Sequence, residues 1–321
     1  MSDGNSIFPS EKKILLTGAT GFVGRHFVQR YPVSRCVVRT REQSPCLDNF
    51  QINSLSGLTI WDGAFNGIDT VIHLAGLAHA STYTQEDYQR VNVDGTLALA
   101  QQAAKAGVQR FVFVSSIGVN GQRTDLTAFS INSKPSPHNQ YAQSKYDAEL
   151  KLVELGMHAG IEIVIVRPTL VYGPCAPGNF GLLAKLVSKL PILPFGRVCN
   201  RRHFISVQNL CHLLMTCACA PKAAGQIFLA SEGEAVSTRE FTNAIARGLG
   251  KRVWQIPIPL SIMKFGAKLI GKPALAEQLL GNLEVDSSNL YDVLRWRAPY
   301  TMAQAMSFLS EQPEVSDVSH D

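Results

Sequence analysis

The sequence predicts an α/β protein built on a doubly wound parallel sheet, with a smaller, less regular C-terminal lobe. Three observations predict this. Short apolar runs alternate with helical segments from residue 12 to about 170, a rhythm that calls for right-handed crossovers and helices on both faces of one sheet. A glycine-rich turn joins the first apolar run to the first helix. Beyond residue 173 the rhythm loosens, and Pro174, Pro177, Pro191, Pro194, Pro257 and Pro259 break the chain into short elements.

The elements follow in order. Ile14-Leu15-Leu16, stopped at Thr17-Gly18, is a short apolar run bounded by glycine and reads as a buried strand. Arg25 to Arg30 reads as helix, ended by Pro32. Cys36-Val37-Val38 and Thr70 to Leu74 are further strands. From Glu86 to Ala106, Val91, Leu97, Leu99 and Ala103 recur at helical spacing, and Gly107 closes the helix. Phe111 to Val114 is a strand running into Ser115-Ser116, and Tyr141 to Glu154 is a second long helix stopped around Gly156. Ile161 to Val166 is a strand ended by Arg167-Pro168, and Gln226 to Ala230 is a strand returning to the sheet from the later part of the chain.

Composition narrows the function. The 321 residues suggest about two domains, and 45% apolar against 17% charged residues excludes a disordered chain. The net charge of +5 is scattered, without the clustered basic face of a nucleic-acid binder, so no nucleic-acid partner is expected. The seven cysteines are odd in number and irregularly spaced, which favours reduced thiols in a cytosol over a disulfide framework. Met1 to Ser10 lacks the pattern of a secretory signal. The least charged stretch, His203 to Pro221, falls short of the ~20 apolar residues of a membrane span. A soluble, cytoplasmic protein without stable membrane insertion is expected. Ile256 to Pro273 has an apolar face and two lysines. It reads as a helix packed on the second lobe, with membrane-surface contact as the alternative.

Three motifs carry chemistry. Thr17-Gly18-Ala19-Thr20-Gly21-Phe22-Val23-Gly24 places glycines where a strand turns into a helix. They suit the tight turn, the approach of a pyrophosphate and close helix–strand packing of a Rossmann-type dinucleotide site, with helix N–H groups facing the phosphates. Tyr141 and Lys145, four apart, share one helix face, and a neighbouring cation should lower the phenol's pKa so that it can act as an acid and base. Ser115-Ser116 lies at the carboxyl end of a strand, where open sheets of this type bind ligands. His73 and His79 lack a third ligand at metal spacing, so His73 is expected to be a packed, hydrogen-bonded core residue and no metal is expected.

Taken in order with Arg167-Pro168 and Val171-Tyr172-Gly173-Pro174, these motifs resemble the extended short-chain dehydrogenase/reductase superfamily, in particular its nucleotide-sugar epimerases, dehydratases and reductases. The resemblance covers residues 12 to about 308 and includes His73-Leu74-Ala75-Gly76, Val91 to Thr96, Arg202 to Val207 and Leu294 to Arg297. It implies a catalytic triad of Ser116, Tyr141 and Lys145. It further implies a cofactor site of Gly18, Thr20, Gly21, Phe22, Val23, Gly24, Arg39, Leu74, Ala75, Gly76 and Asn92 with Tyr141 and Lys145. On the substrate side it implies Ser116, Asn179 and Arg202, with Arg201 and Arg295 or Arg297 as weaker phosphate candidates. The corresponding division is a flexible 1–10, an NAD(P)-binding 11–173, a mainly substrate-binding 174–310 and a flexible 311–321, in a homodimer paired through helices 86–106 and 141–155.

Departures sharpen the expectation. The second strand ends at Arg39, not at the acidic residue of NAD-preferring members, which favours NADP(H) over NAD(H). Asn120 stands where the family often has Tyr, and Asn53 or Ser54 where it has an acidic adenine contact. The implied activity is at C4 of a nucleotide-activated hexose, a UDP-sugar: first a 4-keto-sugar reductase, with a UDP-sugar 4-epimerase as the alternative. A non-catalytic NAD(P)-binding regulator and a reductase of a non-sugar ketone are further alternatives. Ile117-Gly118, where 4,6-dehydratases carry Asp-Glu, disfavours dehydration.

Overall fold

A computed structural model describes residues 12–78, 82–269, 271 and 273–310. The expected flexible ends, 1–10 and 311–321, and His79 lie outside the described residues.

The first half winds β1 (Ile14–Thr17), α1 (Phe22–Arg30), β2 (Arg35–Arg39), β3 (Asn49–Ile52) and β4 (Thr70–His73). There follow α2 (Gln85–Tyr88), a wide π-turn (Gln89–Gly95), α3 (Thr96–Lys105), β5 (Arg110–Val114), α4 (Gln140–Ala159) and β6 (Glu162–Pro168). With β10 (Ile227–Ala230) they form a seven-stranded parallel sheet ordered β10-β6-β5-β4-β1-β2-β3. The order reverses between β1 and β4. There the turns leaving both strands diverge and open a crevice, the place where such sheets bind ligands.

The α/β expectation holds, with local differences. Helix α1 starts at Phe22, three residues earlier than expected, directly after the glycine turn. Strand β3 was not expected. Asn-Phe-Gln-Ile is too polar and short to announce itself, and at a sheet edge one half-covered face suffices. The 86–106 helix is interrupted by the π-turn around Asn92. Helix α4 runs through Gly156 to Ala159 and ends at Gly160 in the left-handed conformation (φ 68°). Gly156 serves packing: a Cβ there would lie 2.9 Å from Ile163 Cγ1 on β6.

The low-charge stretch around residues 203–221 is α6 (Val207–Cys219), whose many buried residues pack with α1 against one face of the sheet. The chain therefore returns to the sheet with a whole helix and then β10, earlier than the expected strand. Helices α3 and α4 cover the other face. A third core gathers β7 (Leu170–Tyr172), α5 (Gly178–Lys189), β8 (Ile192–Leu193), β9 (Arg202–Ser206) and α7 (Thr238–Gly248), around Tyr172, Phe180, Phe204 and Phe241. Shorter pieces complete the structure: β11 (Ala235–Val236), β12 (Trp254–Gln255), α8 (Leu260–Leu269), α9 (Pro273–Leu280), α10 (Ser288–Leu294) and α11 (Met302–Ser307).

One expectation is corrected: Cys36 and Cys46 are joined as a disulfide, not held as reduced thiols, with Cα atoms 5.9 Å apart. Parallel pairing of β2 with β3 sets Cys36 opposite Asn49, so the connecting loop must pass back beside the start of β2 with Cys46 in it. Among the described residues no helix is long and apolar enough to cross a membrane.

Candidate active site

The crevice is built from the glycine turn upward. Gly18 adopts φ 71°, and a Cβ on it would lie 2.7 Å from Ala75 N and 2.9 Å from Leu74 C, so the turns after β1 and β4 press together only because this residue is glycine. Gly24 lets α1 rest on Gly18, whose carbonyl oxygen would be 2.1 Å from an added Cβ. Gly21 caps α1 without any side-chain hydrogen bond, and the protein itself makes little use of the space over it. The exposed turn thus leaves the helix's first N–H groups and the positive end of its dipole for an anion. Phe22 and Val23 are half-buried and pack inward from the same turn.

His73 locks the floor. It is fully buried, with Nδ1 2.7 Å from Thr17 Oγ1 and Nε2 2.9 Å from Thr96 Oγ1, while Thr17 Oγ1 accepts from Ala75 N–H. It is the packed core histidine expected. Burial, reinforced by the Lys145 charge, lowers its pKa to about 3. Unfolded, the imidazole titrates near 6.5, so its contribution to stability is complete above pH 6.5 and is lost as pH falls toward 3. A shift of that size amounts to roughly 4–5 kcal/mol. His73→Gln should therefore flatten the decline in stability between pH 6.5 and 4 in denaturant titrations. An unchanged acid slope would show that His73 does not set it.

Tyr141 and Lys145 sit in the first turns of α4, whose N-cap Asn139 accepts from Ala142 N–H at 2.8 Å. Lys145 is 95% covered, donates to Val114 O at 3.0 Å and lies 4.7 Å above the Phe113 ring. Its Nζ would be 3.5 Å from a Cβ on Gly76, so the ammonium borders the strand-end turn. Burial lowers Lys145 to about 8 against a smaller opposing pull from Glu149. Burial, with Tyr88 beside it, pushes Tyr141 up to about 12. The expected lowering of the phenol's pKa by its neighbour is absent, because the ammonium is aimed at the Val114 carbonyl and desolvation dominates.

Ser116 and Tyr141 line one cavity of about 590 Å3 together with Asn179 and Arg202, so the structure brings the implied proton-transfer and diphosphate residues into a single space. Ser116 Oγ accepts from Gly118 N–H at 3.0 Å. Arg202 is buried and donates to Gly281 O at 2.8 Å; burial lowers its pKa to about 10 against Glu277, so it stays charged at neutral pH. Asn179 donates to Gln278 Oε1 at 2.8 Å.

Other implied residues are placed differently. Asn92 is buried and its polar atoms are engaged: Oδ1 accepts from Leu77 N–H, and Nδ2 donates to Leu77 O and Ser144 Oγ. It holds the wall of the crevice instead of facing it, because the π-turn points it at the post-β4 loop. Arg39 is paired with Glu42, whose carboxylate also accepts from Thr20 Oγ1 at 3.1 Å. Partial burial alone would raise the Glu42 carboxyl, but these bonds outweigh it and hold the pKa below the usual value. The acidic group missing from the end of β2 is thus supplied from three residues further along. Arg201 pairs with Glu284 on the surface, and Arg295 and Arg297 stack on Tyr291, so none of the three is among the residues lining the cavity.

The sequence places Ser115 with Ser116 at the strand end, but the family resemblance assigns a role to Ser116 alone. The Ser115 hydroxyl is buried, lines the cavity and has no hydrogen-bond partner among the described residues. An orphaned buried hydroxyl at the strand end, a bare helix N-terminus at Gly21 and a lysine beside Gly76 all fit a nicotinamide dinucleotide laid across the crevice. His138 and Gln122 also line the cavity and carried no sequence signal.

The chain is similar to known enzymes over nearly its whole length. It is 38% identical over 304 residues to a UDP-glucose 4-epimerase of Vibrio cholerae, covering 91% of this chain and 93% of the relative. Among solved structures, a UDP-glucose 4-epimerase of Thermotoga maritima with UDP-glucose bound superimposes with a TM-score of 0.72 at 18% identity, covering 93% and 97% of the two chains. RMD of Pseudomonas aeruginosa, complexed with NADPH, does so with a TM-score of 0.69 at 20% identity over 94% and 99%. At these identities the structural likeness establishes the fold. The profile of the NAD dependent epimerase/dehydratase family matches residues 14–230, well over half of the chain, and to that family the chain belongs.

Proposed function

We propose that the chain is a UDP-sugar 4-epimerase, with a 4-keto-sugar reductase as second reading. The observation that carries it is the single cavity holding Ser116 and Tyr141 together with Arg202 and Asn179. A phosphate-free substrate would not need a buried arginine there, whereas a guanidinium fork matches diphosphate oxygens. The 38%-identical 4-epimerase supports inversion at C4 ahead of net reduction.

In this reading Arg202 and Asn179 hold the diphosphate, and Ser116 donates a hydrogen bond to the sugar oxygen at C4. Tyr141 takes the proton from that oxygen and returns it, while Lys145 orients the cofactor ribose. A bound nicotinamide supplies the hydride acceptor and donor, and its oxidised form the positive charge that lowers a phenol otherwise held near 12. Glu42, between Thr20 and Arg39, supports NAD: its carboxylate suits a ribose 2′-hydroxyl and repels a 2′-phosphate. Arg39 released from Glu42 would favour NADP(H) and the reductase. The chain pairs as a homodimer through α4, where Leu150, Val153 and Met157 leave an apolar stripe exposed.

The test is to incubate the purified protein with UDP-glucose and UDP-N-acetylglucosamine, without added reductant, and follow the C4 configuration by NMR. A mixture of C4 epimers with no net cofactor consumption is expected, together with NAD released on denaturation. Stoichiometric NADPH oxidation by a 4-keto sugar, without interconversion of epimers, would replace this reading with the reductase.

A further inference from the structure

The segment from Trp254 to Leu269 is turned inside out relative to an ordinary surface element. Helix α8 has no buried residue; Met263 and Ala267 touch the third core, while Ile262, Phe265 and Leu269 point outward and are 60%, 63% and 72% exposed. At 100° per residue, Met263 and Ala267 share one side of the helix, and Ile262, Phe265 and Leu269 lie on the opposite side with Lys264 and Lys268 flanking them. Trp254, 77% exposed, extends the apolar face through β12. Strand β12 pairs with β8 so that Trp254 stands beside Ile192, itself 51% exposed. Ile256 and Leu260, 46% and 40% exposed, lie between the two parts along the chain. A contiguous apolar face of this size is unusual on a protein that does not use it.

Charge indicates what it meets. Residues 241–276 contain six of the chain's 30 Lys and Arg residues (Arg247, Lys251, Arg252, Lys264, Lys268, Lys272) and none of its 25 acidic residues, which leaves 24 basic against 25 acidic elsewhere. The chain's excess of positive charge thus falls in this stretch of sequence, and two of its lysines, Lys264 and Lys268, lie on α8 beside the apolar residues. Two copies meeting there would bring like charges together, which disfavours self-association. Tryptophan and large aliphatic side chains rimmed by lysine match the headgroup boundary of an anionic bilayer, where aromatic rings sit at the interface and lysines meet lipid phosphates.

We infer that the face formed by β12 and α8 docks the protein reversibly on anionic lipid membranes. This goes beyond the proposed activity and does not depend on it. The adjoining α9 contributes Gln278 and Leu279 to the cavity, so docking would hold the substrate side of the molecule near the lipid surface.

The intact protein supplies its own probe. Of its three tryptophans, Trp61 and Trp296 are buried, so Trp254 reports this face. With vesicles of phosphatidylcholine and phosphatidylglycerol at about 7:3, the protein should co-float and its emission should shift to the blue. With pure phosphatidylcholine vesicles it should do neither, and high salt should weaken the binding. Phe265→Glu and Ile262→Glu should each reduce partitioning at least about tenfold, with circular dichroism and turnover unchanged. Lys264→Gln/Lys268→Gln, which leaves the apolar residues in place, should reduce it severalfold. Failure to bind the anionic vesicles, or equal binding to uncharged ones, overturns the inference. So does a Phe265→Glu protein that binds vesicles as well as the parent, or one that changes from dimer to monomer on gel filtration without any vesicle binding by the parent.

Discussion

Replacing Tyr141 with phenylalanine should reduce turnover by about 10²–10⁴-fold while cofactor binding stays within a few-fold, since the ring and its packing remain and only the hydroxyl proposed to transfer the proton is lost. The cavity places this hydroxyl in the same space as Ser116, and neither His138 nor Gln122 adjoins Lys145 on α4 to replace it. The pH profile should carry a companion sign. Lys145 is held at about 8, so it is charged below that pH and loses its proton above it. If its ammonium orients the ribose, kcat/KM should fall above about pH 8. Steady-state rates with a fluorescence titration of cofactor check both points. A Tyr141→Phe protein retaining a third of its activity would remove Tyr141 from the chemistry and point to another donor on the cavity wall.

Arg167→Met should lower unfolding free energy by about 3–5 kcal/mol, the usual cost of stranding one member of a buried ion pair. Arg167 and Glu149 are 4% and 3% exposed at their side chains, and the guanidinium donates to both Glu149 oxygens, at 2.9 and 2.5 Å. Its remaining Nη1 donates to Asn120 Oδ1 at 2.9 Å. Loss of Arg167 leaves a bare carboxylate inside the protein, whereas Glu149→Met/Arg167→Met removes both charges and should recover most of the loss. Because Glu149 lies one turn beyond Lys145 on α4, and Asn120 follows Ser116, the single variant should also lower turnover by loosening both walls of the site. Denaturant titrations of the parent and the two variants are decisive: equal stability of the single and double variants would show that the buried charge is not the cause.

The same triad explains one departure from the family pattern. Asn120 replaces a common tyrosine, and its carbonyl oxygen is the acceptor that completes the Arg167 donor set. No reading of spacing links residues 120, 149 and 167, because each lies on a different element and their contact depends on how α4 crosses the sheet.

The sequence by itself determined what depends on neighbours along the chain. Strand and helix periodicity set the doubly wound sheet. The glycines at 18, 21 and 24 set the turn after β1, and the four-residue spacing of Tyr141 and Lys145 put both on one face of a helix. These are local properties, fixed by backbone sterics and the helical repeat. Tertiary structure alone decided where charges and polar atoms find partners. It turned Glu42 back onto Arg39 and Thr20, engaged Asn92 with the Leu77 loop, stranded the Ser115 hydroxyl and aimed Lys145 at the Val114 carbonyl. Electrostatic and hydrogen-bond energies depend on distance in space and on exclusion of water, and only the packed chain sets either.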